Sequence, residues 1–105
     1  PANLPDLSGP AQATPFVEPI KITLRPTGPD NTGVLIEVKH TNVTLTSSAE
    51  LYAYLVKMAK IYGEGSTERV PVVIKPFGNV LWEHVVNAFN QAIRAKYKQI
   101  GFAPS

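Results

Sequence analysis

From Ile20 onward the apolar residues fall on every second position. Ile20, Ile22 and Leu24 alternate with Lys21, Thr23 and Arg25, the period of a strand that buries one face and wets the other. Residues 26–33 then hold two prolines and two glycines among Asp30, Asn31 and two threonines, which is turn chemistry. The alternation resumes with Val34, Ile36 and Val38 against Leu35, Glu37 and Lys39. It predicts a second strand that forms a hairpin with the first. Residues 43–45 predict a short third extended piece.

At Ser47 the period changes. Ser47 and Glu50 have the spacing of a capping box, and Leu51, Tyr54, Leu55, Met58 and Tyr62 follow at helical intervals up to Gly63. The spacing predicts a helix over 48–62, ~22 Å long at ~1.5 Å per residue. Residues 63–67 predict a loop. Val70, Pro71, Val72, Val73 and Ile74 make a nearly continuous apolar run rich in β-branched residues, which fits an interior strand with Pro71 at its start. Residues 76–79 predict a turn. Val85, Ala88, Phe89, Ala92 and Ile93 form the apolar stripe of a second helix over about 80–95, and residues 99–103 a last strand.

The order is thus strand, strand, short strand, helix, strand, helix, strand. Strand–helix–strand units imply right-handed crossovers and parallel pairing, while the opening hairpin is antiparallel. The fold expected is a two-layer α+β sandwich, with a mixed sheet of four to five strands and both helices on one face. Residues 1–19 stand apart. Pro1, Pro5, Pro10, Pro15 and Pro19 are spaced almost evenly through them, which favours extended or polyproline conformations. Stretched at ~3.1 Å per residue, such a tether reaches roughly 60 Å. The division expected is a linker over 1–19 and a domain over 20–105.

Composition narrows the chemistry. Of 105 residues 44% are hydrophobic, enough for a core, and none is cysteine. Disulfides, zinc–thiolate sites and cysteine nucleophiles are therefore excluded. A net charge of +2 falls well short of a nucleic-acid footprint. No apolar run approaches the ~18 residues of a membrane span.

Candidate chemical groups are few. His40 and His84 lack metal-ligand spacing, and although Glu83 precedes His84, adjacent residues on a helix point to different sides, so no carboxylate–histidine pair for a general base stands out. Ser47, Ser48 and Ser66 lack the Gly-x-Ser-x-Gly elbow of a nucleophile. The glycines of the 63–67 loop do not follow the phosphate-loop pattern, and the loop closes a helix instead of opening one. Asn42, Val43 and Thr44 spell a glycosylation sequon. Arg94, Lys96 and Lys98, with Tyr97 among them, are the densest basic cluster. They could read single-stranded nucleic acid, contact an anionic glycan, or simply complement the dipole at a helix end. Tyr52, Phe77 and Trp82 lie off the main helical stripes and mark contact surfaces as readily as partial core.

Several segments in order resemble a known family. These are Asn3, Leu4 and Pro5 in the tether; the hairpin entered at Pro19 through Leu24; the run from Val70 to Lys75; and the end, from Val85 to Phe89 and from Ala95 to Phe102. Together they resemble the periplasmic domain of the ExbD/TolR family, the biopolymer transport proteins, over nearly the whole chain. The chain departs from the family where Lys75, Pro76 and Phe77 replace an Arg-Ala-Asp-like sequence. It departs also where Lys96 or Ala95 replaces the glycine ending the second helix, and in the length of the 26–33 loop.

The resemblance implies a coupling module that is not an enzyme and needs no cofactor or metal. It implies a single-pass inner-membrane protein with this domain in the periplasm, joined through a membrane helix ahead of Pro1 to an ExbB/TolQ-like ion-driven motor. Leu4 and Pro5 then match the motif just outside that helix. A TonB/TolA-like periplasmic protein or peptidoglycan would be the client, and a homodimer the working form. Edge strands suit such clients, because unpaired N–H and C=O groups accept an added strand. The edges expected are the hairpin over 20–38 and the strand over 99–103, with Leu35, Trp82, Tyr97, Ile100 and Phe102 as contact residues and residues 4–18 as a competing strand. Leu35 and the Val72 to Ile74 run also suggest an apolar open sheet face that would favour dimerisation. The alternative is a small nucleic-acid-binding domain using Lys96, Tyr97 and Lys98.

Overall fold

A computed structural model describes residues 17–104. Leu4, Pro5 and the rest of the tether up to residue 16 lie outside the described residues, as does the competing-strand expectation that rests on them. The elements are β1 (Ile20–Thr27), β2 (Gly33–Val38), β3 (Thr44–Leu45), α1 (Ser48–Tyr62), α2 (Ser66–Arg69), β4 (Val72–Pro76), α3 (Trp82–Arg94) and β5 (Ile100–Phe102). They form the expected two-layer α+β sandwich, on a mixed five-stranded sheet ordered β3-β2-β1-β4-β5. The single turn α2 occupies part of what the glycines predicted as loop. The buried Ser66 hydroxyl anchors it by donating to the Ala59 carbonyl at 2.9 Å.

The hairpin forms as the alternation predicts, with Ile22 opposite Val38 and Thr27 opposite Gly33. At Gly33 the strands approach closely: a Cβ there would meet the Thr27 hydroxyl at 2.5 Å, so a larger residue would require the Thr27 side chain to shift. β1 does not lie at an edge, however. Its other side pairs in parallel with β4, Ile20 beside Val72 and Leu24 beside Pro76, so β1 is the central strand. The expectation that the whole 20–38 hairpin is an edge is corrected. On that side the edge is the two-residue β3, which covers Ile36 and Glu37 of β2.

α1 begins as the capping signal predicts. Ser47 is extended (φ −145°, ψ 159°) and its hydroxyl accepts from the Glu50 N–H at 3.2 Å. Glu50 reaches back to the Thr46 N–H (2.7 Å) and the Thr46 hydroxyl (3.1 Å). Those two contacts, the backbone one foremost, hold its carboxyl below the ordinary value. Its contribution is therefore present above the ordinary carboxylate range and fades as pH falls below it.

The core lies between the helices and one sheet face. Ile20, Ile22, Leu24, Ile36, Val38, Val72 and Ile74 meet Leu51, Leu55, Val85, Ala88 and Ala92 there, all buried. Val17, ahead of β1, packs against the same core. Among the described residues no helix is long and apolar enough to cross a membrane.

α3 ends in a Schellman arrangement. The Tyr97 N–H donates to the Ala92 carbonyl and the Lys96 N–H to the Ile93 carbonyl, with Lys96 itself at φ +77°. Glycine is the usual occupant of that left-handed position, because it carries no Cβ to clash. Lys96→Gly should relieve that clash and raise stability by about 0.5–1 kcal/mol, read as an upward shift of the thermal midpoint. An unchanged or lower midpoint would show that Lys96 makes compensating contacts.

Candidate functional site

α3 carries two apolar stripes. Val85, Ala88 and Ala92 face the core, whereas Trp82, Val86, Phe89 and Ile93 recur at intervals of four, three and four residues. At ~100° per residue the second stripe lies roughly 100° around the helix from the first. Three of its members are open to solvent, Trp82 at 71%, Ile93 at 49% and Val86 at 37%. The fourth, Phe89, stacks on Phe102 of β5 with ring centroids 5.8 Å apart, and Phe102 is itself 52% exposed. The stripe is therefore continuous with β5, the edge strand on its side of the sheet.

β5 pairs in parallel with β4 through Ile100 beside Val72 and Phe102 beside Ile74. The Val72 N–H donates to the Gln99 carbonyl and the Ala103 N–H to the Ile74 carbonyl, both directed inward. Backbone polarity alternates along a strand, so the N–H and C=O groups of Ile100 and Phe102 point to the open edge. Among the described residues no strand pairs with this edge, and an edge lined by exposed apolar side chains can take an added extended segment. Its backbone would satisfy the edge and its side chains would settle on the α3 stripe.

The structure gathers only some of the expected contact residues here. Trp82 and Phe102 belong to the surface. Ile100 is half-buried and packs mainly on the core. Leu35 is half-buried on β2, three strand positions from β5 and on the opposite sheet face. Tyr97 is a correction: it is only 3% exposed, and its hydroxyl donates to the Leu55 carbonyl at 2.7 Å. Burial pushes that phenol up to about 12, with Tyr62 and Tyr54 adding to the rise. The reversal of the chain at Lys96 turns Tyr97 inward between two exposed lysines, and the nucleic-acid reading loses its aromatic. Val86 and Ile93 were missed as surface residues. Their signal was present in the sequence, as a second stripe offset from the first.

The basic cluster is also divided. The Arg94 guanidinium lies 4.4 Å from the centroid of the Tyr52 ring and donates to the Gln91 side chain. Arg94 and Lys96 line a shallow 520 Å³ cavity with Lys60 and Tyr52, which Lys98 does not reach. His84 Nε2 lies 2.7 Å from the Thr32 carbonyl and ties α3 to the hairpin loop. Among the described residues no group of three or more His, Cys, Asp or Glu is placed to hold a metal.

The open sheet face is polar, contrary to the expectation of an apolar one. Lys21, Thr23 and Arg25 of β1, Glu37 and Lys39 of and beyond β2, Thr44 of β3 and Lys75 of β4 point to it, interrupted by Leu35, Val73 and, just beyond β4, Phe77. Val72 and Ile74 are buried under the helices. The apolar residues of this face are therefore scattered among charged ones and do not form the surface that was expected to favour dimerisation. No family model matches the chain, and no curated protein matches it.

Proposed function

We infer that this chain is a binding and coupling module that captures an extended segment of a partner protein along β5. The observation that carries the reading is the β5 edge, unpaired among the described residues, beside the exposed Trp82, Val86, Ile93 and Phe102. The ordered resemblance to the ExbD/TolR family supports a setting for it. In that setting the domain stands in the periplasm, held by its proline-rich tether to a membrane helix and an ExbB/TolQ-like motor. The segment captured belongs to a TonB/TolA-like protein. The module performs no catalysis; it transmits contact between an ion-driven motor and its client, and in the family setting it works as a homodimer.

Titration with a proline-rich, extended peptide of TonB type tests this directly. Trp82 is the single tryptophan and lies 71% exposed, so its fluorescence reports the stripe alone. Saturable change in Trp82 emission, together with amide shifts confined to 99–103 and the exposed face of α3, is the expected result. Shifts centred elsewhere, or none at millimolar peptide, overturn the assignment of the surface.

A further inference from the structure

The open sheet face concentrates positive charge that is dispersed along the chain. Register places the groups: Thr23 lies beside Glu37 on one side and Lys75 on the other, and Glu37 beside Thr44. These four make one row across the sheet. The Lys39 N–H donates to the Lys21 carbonyl at 2.9 Å, which sets those two lysines side by side in the next row. Arg25, opposite Leu35, flanks the row on its other side. Four cations thus share a face with one carboxylate, a net of +3, while the whole chain carries only +2.

Within this face is a 440 Å³ basin lined by Thr23, Arg25, Lys39, Thr44, Lys75 and Phe77, among others. Its base is organised by Phe77. The Arg25 guanidinium stands 4.3 Å and the Lys75 ammonium 5.0 Å from the centroid of that one ring. Attraction to the ring holds the two cations, yet it leaves their mutual repulsion in place. Glu37 answers only part of this charge. It is engaged with Arg25 at 2.7 Å, the one ion pair among the described residues. Among the described residues Lys39 and Lys75 make no ion pair; Thr23 lies between their strands, and Thr44 stands on the far side of Glu37.

We propose that this basin binds a small multivalent phosphate, of the diphosphate or triphosphate class. Lysine ammonium groups act as point charges toward phosphate oxygens, and hydroxyl donors complete the shell. Cations on opposing walls favour a ligand with charge at both ends over a single monoanion. The basin is on the sheet face away from the helices, so its occupation is independent of the β5 edge.

The test uses the 105-residue chain and inorganic tripolyphosphate as probe, followed by amide shifts and calorimetry at constant ionic strength. Saturable binding with shifts at Thr23, Lys39, Thr44 and Lys75 is expected. Lys39→Gln and Lys75→Gln should each weaken it about tenfold, and affinity should fall as salt rises. Lys96→Gln with Lys98→Gln, which removes as much charge elsewhere, should leave affinity within about twofold. Affinity unchanged in the Lys39→Gln/Lys75→Gln double variant, equal loss in the Lys96→Gln/Lys98→Gln variant, or shifts that do not saturate would each overturn the proposal. Both pairs sit on exposed or half-exposed positions, and matching thermal midpoints confirm that the variants are folded.

Discussion

Between pH 10 and pH 12 the chain is expected to lose roughly 2–3 kcal/mol of stability through Tyr97, at ~1.36 kcal/mol per unit of displacement. In the unfolded chain this phenol ionises near its ordinary 10, whereas in the fold burial raises it to about 12. Above pH 10 the unfolded state releases a proton that the folded state still holds, and unfolding gains in proportion. The contribution is complete below pH 10 and gone once the folded phenol also ionises. Urea midpoints at pH 8, 10, 11 and 12 measure it. Tyr97→Phe should be about 1 kcal/mol less stable at pH 8, because the hydrogen bond to the Leu55 carbonyl is lost. It should also show a flatter alkaline limb than the parent. An identical alkaline fall in both proteins would place the titrating group elsewhere.

The second large effect is expected at the β5 edge. About half of the Phe102 residue surface is exposed. Covering roughly 100 Å² of it with a partner segment is worth about 2.5 kcal/mol at ~25 cal/mol per Å². Phe102→Ala should therefore weaken peptide capture by between about tenfold and a hundredfold. Phe102→Pro removes the ring and also the outward N–H, and its pyrrolidine obstructs the approaching backbone. A further 1–3 kcal/mol, or roughly another fivefold to 150-fold, is expected from an edge group left without its partner. The inward bonds accepted by the Gln99 carbonyl and donated by the Ala103 N–H do not involve the Phe102 N–H, so β5 should stay paired with β4. Equal affinities for the alanine and proline variants would show that the partner uses the apolar stripe without joining the sheet.

The sequence discloses what is local and conceals what is not. Alternation at 20–24 and 34–38 is a short-range pattern, and the hairpin, its faces and the α1 cap follow from it. The central position of β1 depends on pairing Ile20 with Val72, more than fifty residues away, and no local period records that. The same limit hid the basic face. Lys21, Arg25, Lys39 and Lys75 each read as an ordinary outward residue of its own strand, and only the register brings them together. Arg94, Lys96 and Lys98 looked like a cluster because they are close in sequence, yet a left-handed residue within the run buries Tyr97 and separates Lys98 from the others. The β5 surface was half visible. Trp82 and Phe102 stood out as aromatic residues, while Ile93 was counted in the core stripe and Val86 was passed over until the packing of α3 on the sheet separated the two stripes.

The central, doubly bonded position of β1 also has a mechanical consequence. β1, β4 and β5 run parallel, and the segment ahead of β1 is seated on the core at Val17. A pull applied through that segment, against a partner drawn the opposite way along β5, loads the strands in shear. The β1–β4 and β4–β5 hydrogen bonds then share the force and must yield together, where a perpendicular pull would open them one by one. Traction along the strands meets the stiffest direction of the domain, and a sideways tug on β5 peels it from β4.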